Sequence, residues 1–320
     1  MNYACLLTKI VNVLPTLVYW LLVNNSHSTV AMSTPDRPFV SYHLWSLFAP
    51  NRGQEHWHCQ MRRGFIKARQ HEPQVKALLA TATPPQRIGI LAQKGVYEFH
   101  HHLHWLTQVD GVEKVARLLG LSHTHETVKY RVLQILRKYQ NAPLLLGKRI
   151  LELTSGDEGF PKPIVIEKQD YCFRLYAAID CIFIESDSTL HILDFKTGRS
   201  AFDNRQALVY LLAARYLYPG KTAVASFYNL EVGKKSELIT ISNSEFKSLE
   251  SELANIAHQH QQDLQEYEAK NSNFSQIFPP NPGNHCRFCA FSSICEFAEL
   301  KLPKSYSMPI TKSHPSPTSS

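Results

Sequence analysis

A change in the spacing of apolar residues near residue 144 is the feature that most constrains the fold. Between about 62 and 139, apolar residues recur every three or four positions, which predicts helices. From about 144 to 198 they form short runs rich in Ile, Val, Phe and Tyr, bounded by Gly, Pro, Asp and Ser, which predicts consecutive strands. The predicted elements that follow are a helix over about 203–218, strands near 222–231 and 236–242, and a long polar helix over about 244–270. This order predicts an α/β or α+β fold with a central mixed sheet flanked by helices and a helical N-terminal section.

Composition and chain ends limit the class of protein. With 44% hydrophobic and 19% charged residues, the chain is neither wholly disordered nor a multi-span membrane protein. The apolar run at 10–23 is too short to span a bilayer comfortably. We interpret residues 1–31 as an extension that the folded protein does not need, with a signal peptide or a membrane-surface anchor as alternatives. Residues 32–300 are predicted to form one domain, 301–320 a disordered tail, and the location to be cytoplasmic, with no stable membrane partner.

The positive charge is concentrated in one block. The formal net charge is 34 − 27 = +7, whereas residues 51–150 alone hold 16 Lys or Arg and 6 Asp or Glu, a local +10. Such a block fits a nucleic-acid partner, and it equally fits a solvated helical face.

Two carboxylates and a lysine are predicted to meet on neighbouring strands. In the strand HILDFKTG, Asp194 and Lys196 share one face because side chains alternate along a strand. Asp180 lies on the preceding strand, and a hairpin through the polar turn 185–188 would bring the two aspartates together. Converging carboxylates suit Mg²⁺ or Mn²⁺, and a lysine beside such an ion can hold or activate a water for attack on phosphorus. The pattern indicates phosphodiester hydrolysis, although Asp-x-Lys alone is also typical of a surface ion pair.

The helix that follows makes the pattern more specific. Gln206 and Tyr210 are spaced i and i+4 and so share one face of it. Together these segments resemble the PD-(D/E)XK nuclease superfamily, in particular its RecB-like exonuclease branch, and the resemblance implies a restriction-endonuclease-like core over about 144–242. It also implies that Asp180, Asp194 and the carbonyl of Phe195 bind the divalent cation. Lys196 would lie near the attacking water, with Gln206 and Tyr210 at the edge of the site.

Nucleases of this kind commonly carry a further metal-binding histidine on a preceding helix, after a glycine. The segment QKGVYEFHHHLHW offers several histidines, of which His100 matches best and His101 second. The spacing from Gly95 is one residue longer than expected, and a chance cluster or a solvated histidine face is the alternative.

A second constellation lies near the C-terminus. The cysteines 286, 289 and 295 have the spacing C-x2-C-x5-C, which suits Zn²⁺ or an iron–sulphur cluster and requires a fourth ligand. The triad resembles that of the iron–sulphur members of the RecB-like nucleases, which include AddB-type subunits and CRISPR-associated exonucleases. That resemblance implies a structural 4Fe-4S cluster held by Cys59, Cys286, Cys289 and Cys295, with Zn²⁺ as the alternative.

The fourth cysteine departs from the family pattern in its surroundings. Gln60 and Arg63 stand where the family often has a proline and an aromatic residue, so three other residues remain as alternative fourth ligands: His58, His285 and Cys172. Cys5 and Cys181 have no assigned role. Cys59 and the triad would form a clamp that joins the helical basic section, about 59–142, to the C-terminal section, about 244–300.

These features lead to one functional hypothesis with two rivals. The chain is predicted to be a metal-dependent exonuclease for single-stranded DNA, in DNA repair and recombination or in phage or CRISPR-type defence, with a possible helicase partner. Phosphate contacts are predicted from the basic section: Arg62, Arg63, Lys67 and Arg69. The rivals are a non-catalytic DNA-binding subunit of a helicase–nuclease assembly and a zinc-stabilised interaction module.

Overall fold

The structure is a computed structural model of the chain, and it describes residues 37–50, 55, 58–80, 82–156, 158–159, 161–198 and 202–298. The predicted extension at 1–31 and tail at 301–320 lie outside these residues. The chain divides into two compact units, each assembled from two segments: residues 1–46 with 82–265, and residues 47–81 with 266–320. The single domain over 32–300 stays a prediction.

Most elements follow one another in the predicted order, whereas the strand and helix at 39–48 were not predicted. The strands are β1 (Phe39–Ser41), β2 (Arg149–Leu153), β3 (Ile164–Glu167), β4 (Cys172–Tyr176), β5 (Cys181–Ile184), β6 (Leu190–Lys196), β7 (Ala223–Asn229) and β8 (Lys234–Lys235). The helices are α1 (Tyr42–Phe48), α2 (Gln60–Lys67), α3 (Pro73–Ala80), α4 (Pro84–His101), α5 (Gly111–Leu118), α6 (Glu126–Asn141), α7 (Asn204–Leu217), α8 (Asn243–Glu268) and α9 (Phe274–Ile277). None of the helices in the described part of the chain is long and apolar enough to cross a membrane.

A five-stranded mixed sheet forms the centre of the first unit. Its strand order is β2-β5-β6-β7-β8, and only the β6–β7 pair is parallel. A parallel neighbour requires a crossover connection, and α7 supplies it between β6 and β7. The predicted hairpin between β5 and β6 is present, with Cys181 opposite Leu193. The predicted fold class, α/β with a mixed sheet flanked by helices, is confirmed.

The central strand β6 is covered on both faces. All its residues except Lys196 are buried. Leu193 and Phe195 belong to the core that α4, α5 and α6 form with the sheet, whereas α7 packs on β6 and β7. Alternation along the strand therefore directs Asp194 and Lys196 toward the α7 side. Burial on both faces explains why the strand is apolar at most positions and why its two charged residues need partners inside the protein.

The helices α4 and α6 approach closely at Gly95. A methyl group at this position would lie 2.3 Å from Cδ2 of Leu136, so a side chain here would displace the side chain of Leu136. Upstream, α4 begins with Pro84 after Thr83, whose backbone N–H donates to Oε1 of Gln86 at 2.8 Å in a capping box. The glycine that sequence reasoning linked to a histidine motif therefore has a packing role.

A second sheet and one corrected strand complete the first unit. Three strands form this sheet in the order β1-β4-β3. The predicted strand over 236–242 is wrong: this stretch contributes only an isolated bridge between Ile239 and Ala225, and the edge strand is β8 instead. The Ser236 N–H donates to the carbonyl of Phe227 at 2.8 Å, but the Phe227 N–H donates to the Ser236 hydroxyl, which in turn donates to the carbonyl of Glu237.

The second unit is a small helical assembly around its own apolar cluster. Its buried members are Met61, Phe65, Val75 and Phe291. The rings of Phe65 and Phe291 stack with centroids 5.0 Å apart. A core of this size contributes little burial free energy, so the unit is a natural place for an additional cross-link.

Candidate active site

Asp180 and Asp194 are neighbouring carboxylates at the end of the β5–β6 hairpin. Asp180 directly precedes β5, and its Oδ2 accepts a hydrogen bond from the backbone N–H of Phe195 at 2.7 Å. This bond ties the Asp180 side chain to the peptide between Asp194 and Lys196. The negative charge of Asp194 also raises the pKa of Asp180, after the larger effect of burial. The hairpin thus brings together the two acids that the sequence spaces fourteen residues apart.

Gln206 connects the other polar groups into one network. Its Oε1 accepts from Lys196 Nζ at 2.7 Å, and its Nε2 donates to Asp194 Oδ1 at 2.8 Å. The same Nε2 donates to the Tyr210 hydroxyl at 2.7 Å. Asp203 caps the start of α7 by accepting from the Arg205 N–H at 3.1 Å, which sets the phase of the helix that carries Gln206 and Tyr210.

The burial of carboxylates in this network favours the binding of a cation. Asp194 is 3% exposed, and burial raises its pKa while Lys196 opposes the shift. Its Oδ2 lies 2.6 Å from Lys196 Nζ but accepts no hydrogen bond of good geometry from any described group. Two buried carboxylates beside one ammonium leave an excess negative charge in low dielectric. A divalent cation would balance it, and carboxylate oxygens with an available lone pair are the ligands that Mg²⁺ and Mn²⁺ prefer.

Sequence reasoning missed one further side chain of the site, Gln93. Nε2 of Gln93, on α4, donates to Asp180 Oδ1 at 2.9 Å and contacts Thr154 Oγ1 at 3.3 Å. The backbone N–H of Thr154 also donates to the carbonyl of Asp180 at 2.9 Å. Gln93 interrupts the apolar stretch from Ile88 to Val96, and that polar residue on a buried helix face was the signal available in the sequence.

A comparison with protein-family models supplies the family. The model of the PD-(D/E)XK nuclease superfamily matches residues 70–296, most of the chain. The chain belongs to this superfamily. The match contains Asp180, Asp194, Lys196 and the three C-terminal cysteines, and it begins after Cys59. Members of the superfamily are nucleases that hydrolyse phosphodiester bonds, typically with Mg²⁺ or Mn²⁺.

The other comparisons add no argument to this assignment. No curated protein matches the chain. The crystal structure of SSO0001 is similar to it with 12% sequence identity, over 73% of this chain and 97% of that one, at a TM-score of 0.27. A likeness this weak carries no information about function.

The structure does not bring His100 to the carboxylates of the nuclease site. Its Nε2 is hydrogen-bonded to the hydroxyl of Tyr139 at 2.7 Å, on the core side of α4. Burial lowers the pKa of His100 to about 4, so the ring stays neutral. His101 is exposed and stacks on Tyr97 with centroids 5.4 Å apart. His100 as a metal ligand stays a prediction, and the α4 side chain that contacts Asp180 is Gln93, two turns earlier.

Two of the four predicted DNA contacts pack on aromatic rings in the second unit. Arg63 is 3% exposed, with its guanidinium 4.0 Å from the centroid of the Phe48 ring, so its assignment to DNA is wrong. The guanidinium of Arg69 lies 3.7 Å from the centroid of Phe274, and burial lowers the pKa of Lys67. Arg62 is exposed on the other side of α2. The basic excess of the sequence therefore partly stabilises aromatic packing.

The four predicted cluster cysteines lie together in the second unit. All are free thiols; Cys59 precedes α2, and the other three follow α9. Burial raises the pKa of Cys289 and of Cys295. The charges of neighbouring cysteines raise both values further: Cys59 and Cys286 act on Cys289, and all three other cysteines of the cluster act on Cys295. The N–H of Asn281 donates to Cys59 Sγ and that of Gly283 to Cys286 Sγ, both at 3.4 Å.

The four cysteines are of the residue type that binds zinc or iron–sulphur clusters, but their side chains are not arranged around a common centre. Within the described ranges, no three His, Cys, Asp or Glu side chains are arranged to hold a metal ion. Backbone N–H bonds to sulphur are nevertheless the kind of outer contact that tunes thiolate-bound clusters. Of the alternative fourth ligands, Cys172 belongs to β4 of the other unit, and His58 Nε2 is bonded to the carbonyl of Leu47 at 2.9 Å.

Removing one carboxylate should stabilise the metal-free protein. We expect Asp180→Asn to raise the free energy of unfolding at pH 8 in chelator by on the order of 1 kcal/mol, because it removes repulsion between two buried acids. It should also abolish the increase in melting temperature that Mn²⁺ gives the wild-type protein. Asp187→Asn, on the exposed turn of the same hairpin, is the matched control. An unchanged Mn²⁺ effect in Asp180→Asn would contradict this account.

The neutral state of His100 predicts a pH dependence of stability. Because its folded pKa of about 4 lies below the unfolded value of 6.5, the histidine's contribution is complete above pH 6.5 and is lost as the pH falls toward 4. His100→Gln should therefore lose less unfolding free energy than the wild type between pH 7 and pH 4.5, measured by urea denaturation. His101→Gln is the matched control. Loss of Mn²⁺ stabilisation in His100→Gln would instead restore the metal-ligand assignment.

Proposed function

We propose that the chain is a metal-dependent exonuclease that degrades single-stranded DNA in repair, recombination or phage or CRISPR-type defence. Membership of the nuclease superfamily supports phosphodiester hydrolysis, and the finer statements extend it. The observation that carries the proposal is the position of Asp194 Oδ2, buried, 2.6 Å from Lys196 Nζ and without a hydrogen bond of good geometry from a described group. A purely structural ion pair would be expected to complete its hydrogen bonds at this depth.

The residues of the site can be assigned to metal binding and to activation of the attacking water. Asp180, Asp194 and the carbonyl of Phe195 would hold Mg²⁺ or Mn²⁺, which supplies stabilisation of the charge that develops on the phosphate oxygens. Lys196 has three N–H donors, and one of them donates to Gln206 while the ammonium is ion-paired with Asp194. A donor therefore remains for the attacking water or a phosphate oxygen.

Gln206 and Tyr210 act through these groups. Gln206 fixes the positions of both Lys196 and Asp194, and its amide also donates to the Tyr210 hydroxyl. Burial and the two carboxylates raise the pKa of Tyr210, which keeps the phenol protonated and able to donate. Both are positioning residues in this proposal.

The substrate and setting follow from charge and from the family resemblance. A polyanion such as DNA is attracted by a positively charged chain, and Arg62 is an exposed member of the basic section. The RecB-like motif order supports an exonuclease that works with a helicase or another recombination or defence partner, in the cytoplasm. A non-catalytic DNA-binding role has no use for a lysine held beside two buried acids.

Loss of either central residue should abolish cleavage. Asp194→Ala and Lys196→Ala should each reduce degradation of end-labelled single-stranded DNA in Mn²⁺ by at least about a hundredfold, because each removes charge stabilisation at the reacting phosphate. Lys221→Ala, which changes an exposed lysine of the same unit, should retain full activity. Circular dichroism checks that the variants are folded. Full activity in both purified site variants would overturn the proposal.

We also propose that Cys59, Cys286, Cys289 and Cys295 hold a structural 4Fe-4S cluster. The four thiols lie in one small unit with backbone N–H groups on two of the sulphurs, which supports this donor set. The cluster would bridge segments 286 − 59 = 227 residues apart in the sequence. Closing so long a loop restricts the unfolded chain, by several kcal/mol if reasoning for disulfides applies. Its role is then stability of the second unit.

Anaerobic purification should yield a brown protein with broad visible absorption. Cys286→Ser and Cys59→Ser should lose the colour and lower the melting temperature, whereas Cys172→Ser, in β4, should change neither. A colourless protein that contains zinc would favour the zinc alternative. Colour retained in Cys59→Ser would remove Cys59 from the ligand set.

A further inference from the structure

The sheet face that carries the active site continues beyond it to the edge strand. Lys196 is paired with Asn229 on β7, and Asn229 is paired with Lys234 on β8. Residues that are paired across neighbouring strands project from the same face of a sheet. Lys234 therefore shares the face of Lys196, two strand spacings or about 10 Å away.

An aromatic floor lies between these two lysines. Phe227 is paired with Asp194, so it belongs to the same face one row earlier. Its ring centroid lies 5.6 Å from Lys196 Nζ and 5.2 Å from the centroid of Phe202. Phe202 is itself half-buried, and part of its ring remains accessible. The apolar surface is thus continuous from the catalytic lysine to Phe202.

Phe202 and Lys234 line a groove at this edge, which we call the edge groove. Its volume is about 380 Å³, and its lining residues are Gly198, Phe202, Asn229, Val232, Lys234, Lys235 and Ser236. Pockets that bind small molecules are roughly 300–1,000 Å³, so the edge groove has the size of a site for one nucleotide.

Asn229 holds the two walls of the edge groove together. Its Nδ2 donates to the carbonyl of Gly198 at 2.7 Å, and its Oδ1 accepts from the backbone N–H groups of Glu231 and Val232 at 3.0 and 3.2 Å. Gly198 has φ of 87°, a left-handed conformation that turns the chain away from β6 directly after the catalytic strand. These hydrogen bonds and the turn at Gly198 therefore fix the shape of the edge groove.

The charge of the edge groove is positive. Lys234 and Lys235 are exposed, and neither forms an ion pair with a described carboxylate. Glu231, in the turn before β8, is ion-paired with Arg131. An unpaired lysine beside an accessible aromatic ring is the combination that binds unpaired nucleic-acid strands, with the phosphate on the cation and the base on the ring.

We propose that the edge groove holds an unpaired DNA strand next to the scissile phosphate. A backbone phosphate contacts Lys234, and a base stacks on Phe202. A base reaches such a ring only when it is not paired, so the groove selects single strands. The inference rests on the proposed function for the identity of the strand, and it adds the residues that select it.

Binding to a fluorescent oligothymidylate tests the edge groove separately from cleavage. Every protein is the full chain with Asp194→Asn, so that bound DNA is not cut, and affinity is measured by anisotropy over a range of salt concentrations. Phe202→Ala should weaken binding about tenfold without changing the salt slope, because stacking is not ionic. Lys234→Ala should weaken binding and reduce the slope of log K against log salt by about 0.7, the value for one phosphate contact with a single strand.

Two further variants keep the test decisive. Lys221→Ala removes the same charge from an exposed lysine that does not line the edge groove, and it should retain the salt slope. Phe202→Leu keeps apolar packing on Phe227 but removes the ring, and it should bind as weakly as Phe202→Ala. Equal slopes in Lys234→Ala and its parent, or equal losses in Lys234→Ala and Lys221→Ala, would overturn the inference.

Failure of the edge-groove inference can be told apart from failure of the proposed nuclease function. If the chain with Asp194 restored cuts DNA but the groove variants bind like their parent, only the edge groove is rejected. If it cuts no DNA yet the groove variants lose binding as stated, only the nuclease proposal is rejected.

Discussion

The first unit is organised around one unfavourable element, the burial of two carboxylates side by side. Burial raises the pKa values of Asp180 and Asp194, and a single ammonium cannot balance both charges. The protein therefore surrounds them with fixed donors: the Phe195 N–H, the Gln93 amide and the Gln206 amide. These donors come from β6, α4 and α7, so the packing of the sheet against helices on both faces is what holds the acids in place.

The sequence was sufficient for the parts of this arrangement that depend on local spacing. The strand alternation of Asp194 and Lys196, and the i to i+4 relation of Gln206 and Tyr210, follow from backbone periodicity alone. The polar turn at 185–188 was enough to predict the β5–β6 hairpin. The change in the spacing of apolar residues near 144 was enough to predict where the helices end and the strands begin.

The remaining parts depend on tertiary packing, which local patterns do not encode. Gln93 and Asp180 are 87 residues apart in the sequence, and only the docking of α4 on the sheet brings them together. His100 was expected as a ligand because it follows a glycine on the helix before the strands, as in a motif of the family, whereas on α4 its hydrogen-bond partner is Tyr139. Arg63 was counted as surface charge, whereas the rings of Phe48 and Phe278 enclose it.

The division of the second unit into two distant segments also has a consequence for synthesis. Residues 82–265 of the first unit are translated between them, and Cys286 emerges 227 residues after Cys59. At translation rates of about 5–20 residues per second, the earlier segment waits on the order of 10–50 s for its partner. During that interval Met61 and Phe65 lack Phe291, their companion in the apolar cluster. The nascent chain therefore completes the nuclease sheet first, and the cysteine-bearing unit closes last.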